Sequence, residues 1–350
     1  MDRYIGMDVH SASCTAGVLS AKGRRLKSVV LETNGNVLVE FLRTIPGNRH
    51  LIIEEGTHSN WLNEILSPHV YEMVVIGVRK NKGQKSDKID SFGLAEKLRI
   101  GSIETRVFKG NGDFAALDAT SKAYRNVMVD SVRVMNRLKC VFRSRGIPTG
   151  DKEIYSQSKK EQWLKKLPNK IQPLARTYYT ELGMLLELRK QAQKEMRKEA
   201  RKHKIYRTLR TIPGMGPNRV AELLPIVVTP YRFPNKRMFW TYCGLGVVMR
   251  SSSDWVRAAN GSWIRTNTQQ TRGLNYNHNH CLKKIFKGAA TTVIGQKRQK
   301  DPVYQHYLSL LDGGTNPTLA KLTIARQIAS ITLSIWRSGK DYDTRILKKK

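Results

Sequence analysis

Acidic residues are scarce in this 350-residue chain: 28 Asp and Glu stand against 62 Lys and Arg, a formal net charge of +34 at pH 7. That deficit argues against a polycationic partner and gives the protein a field that attracts polyphosphates. With a pI near 10.2, the expected partner is nucleic acid rather than a membrane. Long apolar runs are also missing, and none approaches the roughly 20 residues that a spanning helix needs. The N-terminus, MDRYIGMDVH, starts directly on a strand pattern and lacks the apolar core of a signal peptide, so a cytoplasmic, nucleoid-associated location is expected. Cysteine is sparse: Cys14, Cys140, Cys243 and Cys281 are scattered with no CxxC pair, which argues against zinc ribbons and a disulfide framework.

Against this background the few acids stand out. They are Asp8 in MDVH, Glu55 in IIEEGT, and Asp87 with Asp90 in KSDKIDS. Carboxylates that gather in one place repel each other unless a compact cation holds them, and Mg²⁺ is the cation that oxygen-rich sites beside phosphates use. Strand patterns at residues 4–8, 14–19, 26–31, 51–53 and 73–77 alternate with helical spacing at 37–44, 61–66 and 85–99. The order β-β-β-α-β-α-β-α is that of an α/β RNase H-like (RuvC-like) domain. In such a sheet Asp8 lies on the first, central strand and Glu55 at the end of its neighbour. Asp87 and Asp90, at i and i+3, share a face of the following helix. Glu54 competes with Glu55, and strand alternation sends the two to opposite faces. Taken singly, Asp87 also suits a plain helix N-terminal residue.

A long helix is expected over 115–145, with Val127, Val132, Leu138 and Val141 as apolar positions and Gly146-Ile147-Pro148 as its stop. Residues 151–170 are polar and Lys-rich and read as a linker. Residues 174–203 read as one helix suited to an antiparallel coiled coil or a dimerising arm, with plain helical packing as the alternative. The Pro213-Gly214-Met215-Gly216-Pro217 turn resembles a helix-hairpin-helix turn, in which Gly214 and Gly216 expose backbone N–H groups to a phosphate. Arg250 precedes a serine cluster, Ser251, Ser252 and Ser253; serines there are turn formers by default. His278, His280 and Cys281 lack a second ligand pair and read as surface or loop residues.

YIGMDVH, EEGTHSNW, KSDKIDS, TIPGMGPNRVAELL, YCGL, RSSSDWVR and QQTRGLNYNHNHCLKKIFKGAA run in this order from residue 4 to residue 290. Together they resemble the "one-ten" insertion-sequence transposases, which carry a DEDD RuvC-like domain and a C-terminal serine domain, and to which pilin-gene invertases are related. The resemblance implies a DNA recombinase guided by a structured bridge RNA that pairs with donor and target DNA. It implies Mg²⁺ held by Asp8, Glu55, Asp87 and Asp90, and a serine that forms a phosphoserine link to DNA. The family's Glu-x-Thr pattern, with Trp six residues on, matches Glu55, Thr57 and Trp61. Counting from Gly244-Leu245 puts the nucleophile on Ser252, with Ser251 next, because the family's Ser-Ser-Gly is Ser251-Ser252-Ser253 here.

The domains expected are therefore 1–150, the RuvC-like nuclease; 151–205, linker and coiled-coil helix; and 206–350, a mainly α serine transposase domain. A homo-oligomer, dimer or tetramer, is expected because two-ended DNA exchange needs at least two protomers. Two other readings use the same residues: a Holliday-junction resolvase-like Mg²⁺ nuclease with no covalent intermediate, and a non-catalytic nucleic-acid binder with structural acids.

Overall fold

A computed structural model describes the chain outside residues 78–85, 104–105, 108–109, 111, 151, 251–254, 266–269 and 345–350. At 152, 249–250, 265 and 270–272 it describes the backbone alone. The chain divides into two compact units, Met1–Asp113 and Phe114–Lys350.

The first unit runs β1 (Asp2–Val9), β2 (Ser13–Ser20), β3 (Arg25–Glu32), α1 (Gly35–Arg43), β4 (Asn48–Glu54), α2 (Ser59–Leu66), β5 (Glu72–Ile76), α3 (Asp87–Arg99) and β6 (Arg106–Val107). Its six-stranded sheet has the order β3-β2-β1-β4-β5-β6. β1, β4 and β5 are parallel, while β2, β3 and β6 join antiparallel to their neighbours. The central strands read as near-continuous apolar runs because helices cover both faces of the sheet. Ile5, Met7, Leu51 and Ile53 pack with Leu38, Leu42, Leu62 and Leu66 of α1 and α2. On the opposite face Ile52, Val74 and Ile76 pack with Leu94 and Leu98 of α3. This mixed sheet with its helices fits the expected α/β RNase H-like domain; the short β6 is an addition that a two-residue strand could not announce.

The second unit opens on α4 (Ala115–Arg143), followed by α5 (Lys160–Leu164), α6 (Gln172–Arg201), α7 (Lys204–Leu209), α8 (Pro217–Val227) and α9 (Lys236–Tyr242). Four short strands come next: β7 (Val247–Arg250), β8 (Trp255–Arg257), β9 (Trp263–Arg265) and β10 (Gln270–Leu274). β7 pairs with β10 and β8 with β9. Helices α10 (His280–Gln296), α11 (Pro302–Asp312) and α12 (Pro317–Ser338) complete it. Val220, Leu224, Phe239, Phe286 and Ile328, among others, share one core. Asn235, Asn279, Asp301 and Asn316 cap α9, α10, α11 and α12 by accepting from backbone N–H groups.

Two features differ from the sequence expectation. The first compact unit closes at Asp113, whereas the boundary expected from the motifs lies at residue 150, because α4 packs against α6. The two helices run antiparallel. Leu138 and Phe142 meet Ala175, Tyr179 and Leu182 at one end, and Leu117 and Tyr124 share a core with Met196 and Ala200 at the other. The apolar stripe of the long helix is thus answered within its own chain. The second difference is the Lys-rich stretch before α6, which is packed structure. Ile154, Trp163, Leu164 and Leu167 are buried, and the Tyr179 hydroxyl donates to the Ile154 carbonyl at 2.8 Å. Four apolar residues diluted among lysines carry too weak a period to register as an element, yet each buries enough area to contribute about 1.5–3 kcal/mol.

Candidate active site

The acidic site begins with a residue that has no side chain. A Cβ at Gly6 would stand 2.1 Å from the Ser91 carbonyl oxygen and 2.6 Å from the Ala95 nitrogen, so only glycine lets the α3 backbone lie directly on β1. From that contact, Asp8 is two residues farther along the strand and Asp87 about one turn back along the helix. Those steps are of similar length, roughly 6.6 Å and 6 Å. Ser86 caps α3 by accepting from the Ile89 N–H at 3.2 Å, which places Asp87 and Asp90 in the helix's first turn. Negative charge there is favoured by the helix dipole.

Asp8 and Asp87 do meet, and His10, in the turn between β1 and β2, joins them. Its Nε2 lies 3.6 Å from Asp8 Oδ2 and 3.6 Å from Asp87 Oδ1. Among the described residues these three form the set whose potential ligand atoms lie within 4.8 Å of one another. Asp8 is largely shielded, at 23% side-chain exposure, while Asp87 opens to solvent at 57%. Burial, and then the nearby Asp8 charge, push the Cys14 thiol up to about 12. The 3.6 Å separations exceed a hydrogen bond, and the three groups bring one potential ligand atom each to the same small region. Carboxylates of this kind suit Mg²⁺ or Mn²⁺, and an imidazole extends the set toward the later transition metals. The donor set therefore fits a divalent metal.

Asp90 and Glu55 lie outside that three-residue cluster. Glu55 follows the last residue of β4, and its N–H donates to the Ile76 carbonyl at 2.7 Å. The register sharpens the choice between the two glutamates. Met7 pairs with Ile53, so Asp8 is flanked by Glu54, and Glu54 follows Ile52 onto the α3 face of the sheet. Alternation along β4 gives the Asp8 face to Glu54, whereas motif spacing selects Glu55, which follows the strand's last residue. His10 is the residue that sequence reasoning missed. A histidine just after a strand is an ordinary turn residue, and only the fold shows that its turn returns beside α3.

In the second unit the Gly214–Gly216 turn joins α7 to α8, as a helical hairpin requires. Gly214 has φ +76°, and a Cβ there would lie 2.5 Å from the Ala289 carbonyl oxygen of α10. Arg219 Nη1 donates to the Gly214 carbonyl at 2.7 Å and locks the turn. A cavity of about 480 Å³ beside it is lined by Arg210, Arg219, Arg298 and Lys300, cations suited to a phosphate backbone. Ser251, Ser252, Ser253 and the Arg250 side chain lie outside the described residues. His278 belongs to no cluster of potential metal ligands among the described residues; its Nδ1 lies 2.6 Å from the Asn275 carbonyl, and its ring packs under Gly244.

An RNase H-like sheet that brings Asp8 beside Asp87 defines a class, the metal-dependent enzymes of phosphodiester chemistry. Residues 5–145 match a family model of DEDD-type IS110 transposases, described as Transposase, and residues 206–277 match the Transposase IS116/IS110/IS902 family. No curated protein was found to match the chain. The two models describe one family and together cover more than half of the chain: the protein is a transposase of the IS110 family. It is an enzyme that recombines DNA, and its DEDD-type domain implies dependence on a divalent metal. No helix among the described residues is long and apolar enough to cross a membrane.

Proposed function

We propose that this transposase cuts and rejoins DNA through two chemistries, an Mg²⁺-holding acidic site and a serine nucleophile. The observation that carries the reading is the approach of Asp8 to Asp87 through the Gly6 contact with α3. Asp8, Asp87 and Asp90, with a glutamate from the end of β4, would hold the metal; when bound it supplies Lewis-acid polarisation of the scissile phosphate. The register favours Glu54 for the fourth acid and the motif spacing Glu55. His10 adds an imidazole nitrogen to the donor set. The Ser252 hydroxyl, with Ser251 as the neighbour in register, attacks phosphorus. One P–O bond to deoxyribose breaks, a phosphoserine ester forms, and the departing sugar oxygen takes up a proton. Attack by a second strand's hydroxyl on that ester restores the phosphodiester and returns the serine.

Site choice falls to a structured bridge RNA paired with donor and target DNA, a division of labour that leaves the protein to grip backbones through its +34 charge. Gly214 and Gly216, with the cations around them, and Arg250 are the proposed backbone contacts. Oligomerisation is supported by the middle of the α4–α6 pair, where Val129, Val132, Met184 and Leu188 are exposed. The cytoplasm, beside the nucleoid, is the proposed location. The test is to trap the reaction on a DNA substrate and map the adducted peptide by mass spectrometry. An adduct on Ser252 that vanishes in Ser252→Ala supports the reading. An adduct on Ser251 shifts the nucleophile by one residue. Cleavage with no adduct on any of the three serines makes the protein a hydrolytic nuclease and overturns it.

A further inference from the structure

Among the described residues, the β8–β9 hairpin contributes none to the hydrophobic cores of its unit. Its register pairs Trp255 with Arg265, Val256 with Ile264 and Arg257 with Trp263. Alternation therefore sets Trp255, Arg257, Trp263 and Arg265 at positions of one face, and Val256 with Ile264 on the other. Trp255 is 60% exposed and Trp263 63%. A two-stranded hairpin alone is marginally stable, and both of its indoles are open to solvent. Their placement needs an occupant.

We propose that the Trp255–Trp263 face is a stacking platform for unpaired bases of the DNA strand that the enzyme cuts. Three observations select that occupant. Indoles beside Arg257 supply base stacking and backbone neutralisation together, the combination that single strands need. A chain at +34 favours a polyanion over a protein face. Diagonal positions across an antiparallel pair stand roughly 7–8 Å apart, about twice the 3.4 Å rise of stacked bases, which leaves room for one base between the two indoles. DNA is selected over RNA by covalent distance: Trp255 is three residues from Ser252, at most roughly 11 Å along the chain. In this last respect the proposal rests on the serine reading above. Its consequence is that a base held at Trp255 fixes the neighbouring phosphate within reach of the serine.

The experiment titrates the full-length protein with oligo(dT), a duplex of equal length, and oligo(U), following indole fluorescence and affinity. Oligo(dT) should quench the wild type. Trp255→Ala and Trp263→Ala should each weaken oligo(dT) about tenfold, Trp→Phe at either position should retain most of the affinity, and duplex binding should move by less than about twofold. Circular dichroism and melting compare the folds; should an Ala variant misfold, quenching of the wild type and the Phe variants decide. Unchanged oligo(dT) affinity in the double Ala variant overturns the proposal. So does a marked preference for oligo(U), or a change in sedimentation with oligo(dT) affinity intact, which would make the face an RNA or a protein surface. No cleavage enters the measurement, so an absent serine adduct with oligo(dT) affinity lost in the Ala variants defeats the serine reading and leaves the platform standing.

Discussion

Gly6 decides where Asp8 can act, because the backbone of α3 occupies the space of its missing side chain. Asp87 was legible in the sequence through its spacing from Asp90 and its place near a helix start, and Asp8 through its place at the end of the first apolar strand. The glutamate was less legible. Two adjacent acids at a strand end differ by one residue in register, and one residue reverses the face. From the pairing of Met7 with Ile53, Glu54→Gln should lower DNA cleavage more than about a hundredfold, and Glu55→Gln should leave at least a tenth of it. Gel assays of strand cleavage at saturating protein check this, and the reverse order would return the site to Glu55. The serines remain the part that only motif resemblance identifies, since nothing in a serine triplet distinguishes a nucleophile from a turn.

Among the elements, α8 follows a tight turn and carries a half-buried acid. Gly214→Ala would force a Cβ into the α10 backbone at positive φ, and should destabilise the fold by about 2 kcal/mol or more. Gly216 has φ −70° and open space around it, so Gly216→Ala should cost less than about 0.5 kcal/mol while perturbing duplex binding. Urea unfolding with a DNA-binding assay separates the two glycines; equal stability losses would contradict the packing role of Gly214. Farther along α8, burial pushes the Glu222 carboxyl above its ordinary 4.5, against the opposing pull of Arg125 and Lys284. Because the folded state holds this proton more tightly, its stabilisation is complete below pH 4.5 and is lost as pH rises through the raised value. Glu222→Gln should flatten the melting temperature across that window, and parallel wild-type and variant curves would refute the linkage. The long helix α6 was legible as an element; its partner was not, because an apolar stripe specifies a contact without saying which helix supplies it.

At the scale of the whole chain, a large positive charge binds polyphosphate and a few carboxylates spend part of that attraction for chemistry. The arrangement is stable because the acids stand on a sheet and a capped helix rather than on loops. The division of the chain was legible only in part: the α/β order of the first unit was clear from alternating periods, whereas the early closure at Asp113 depends on α4 finding α6. If cleavage is the work of the acidic site and affinity the work of Lys and Arg, the two are separable. The direct measurement is strand cleavage and DNA binding by Asp8→Asn and Asp87→Asn, side by side with the wild type in Mg²⁺ and in Mn²⁺. The account predicts cleavage lost by more than about a hundredfold in both variants, with DNA affinity within about threefold of the wild type. Cleavage by Asp8→Asn at the wild-type rate would contradict it.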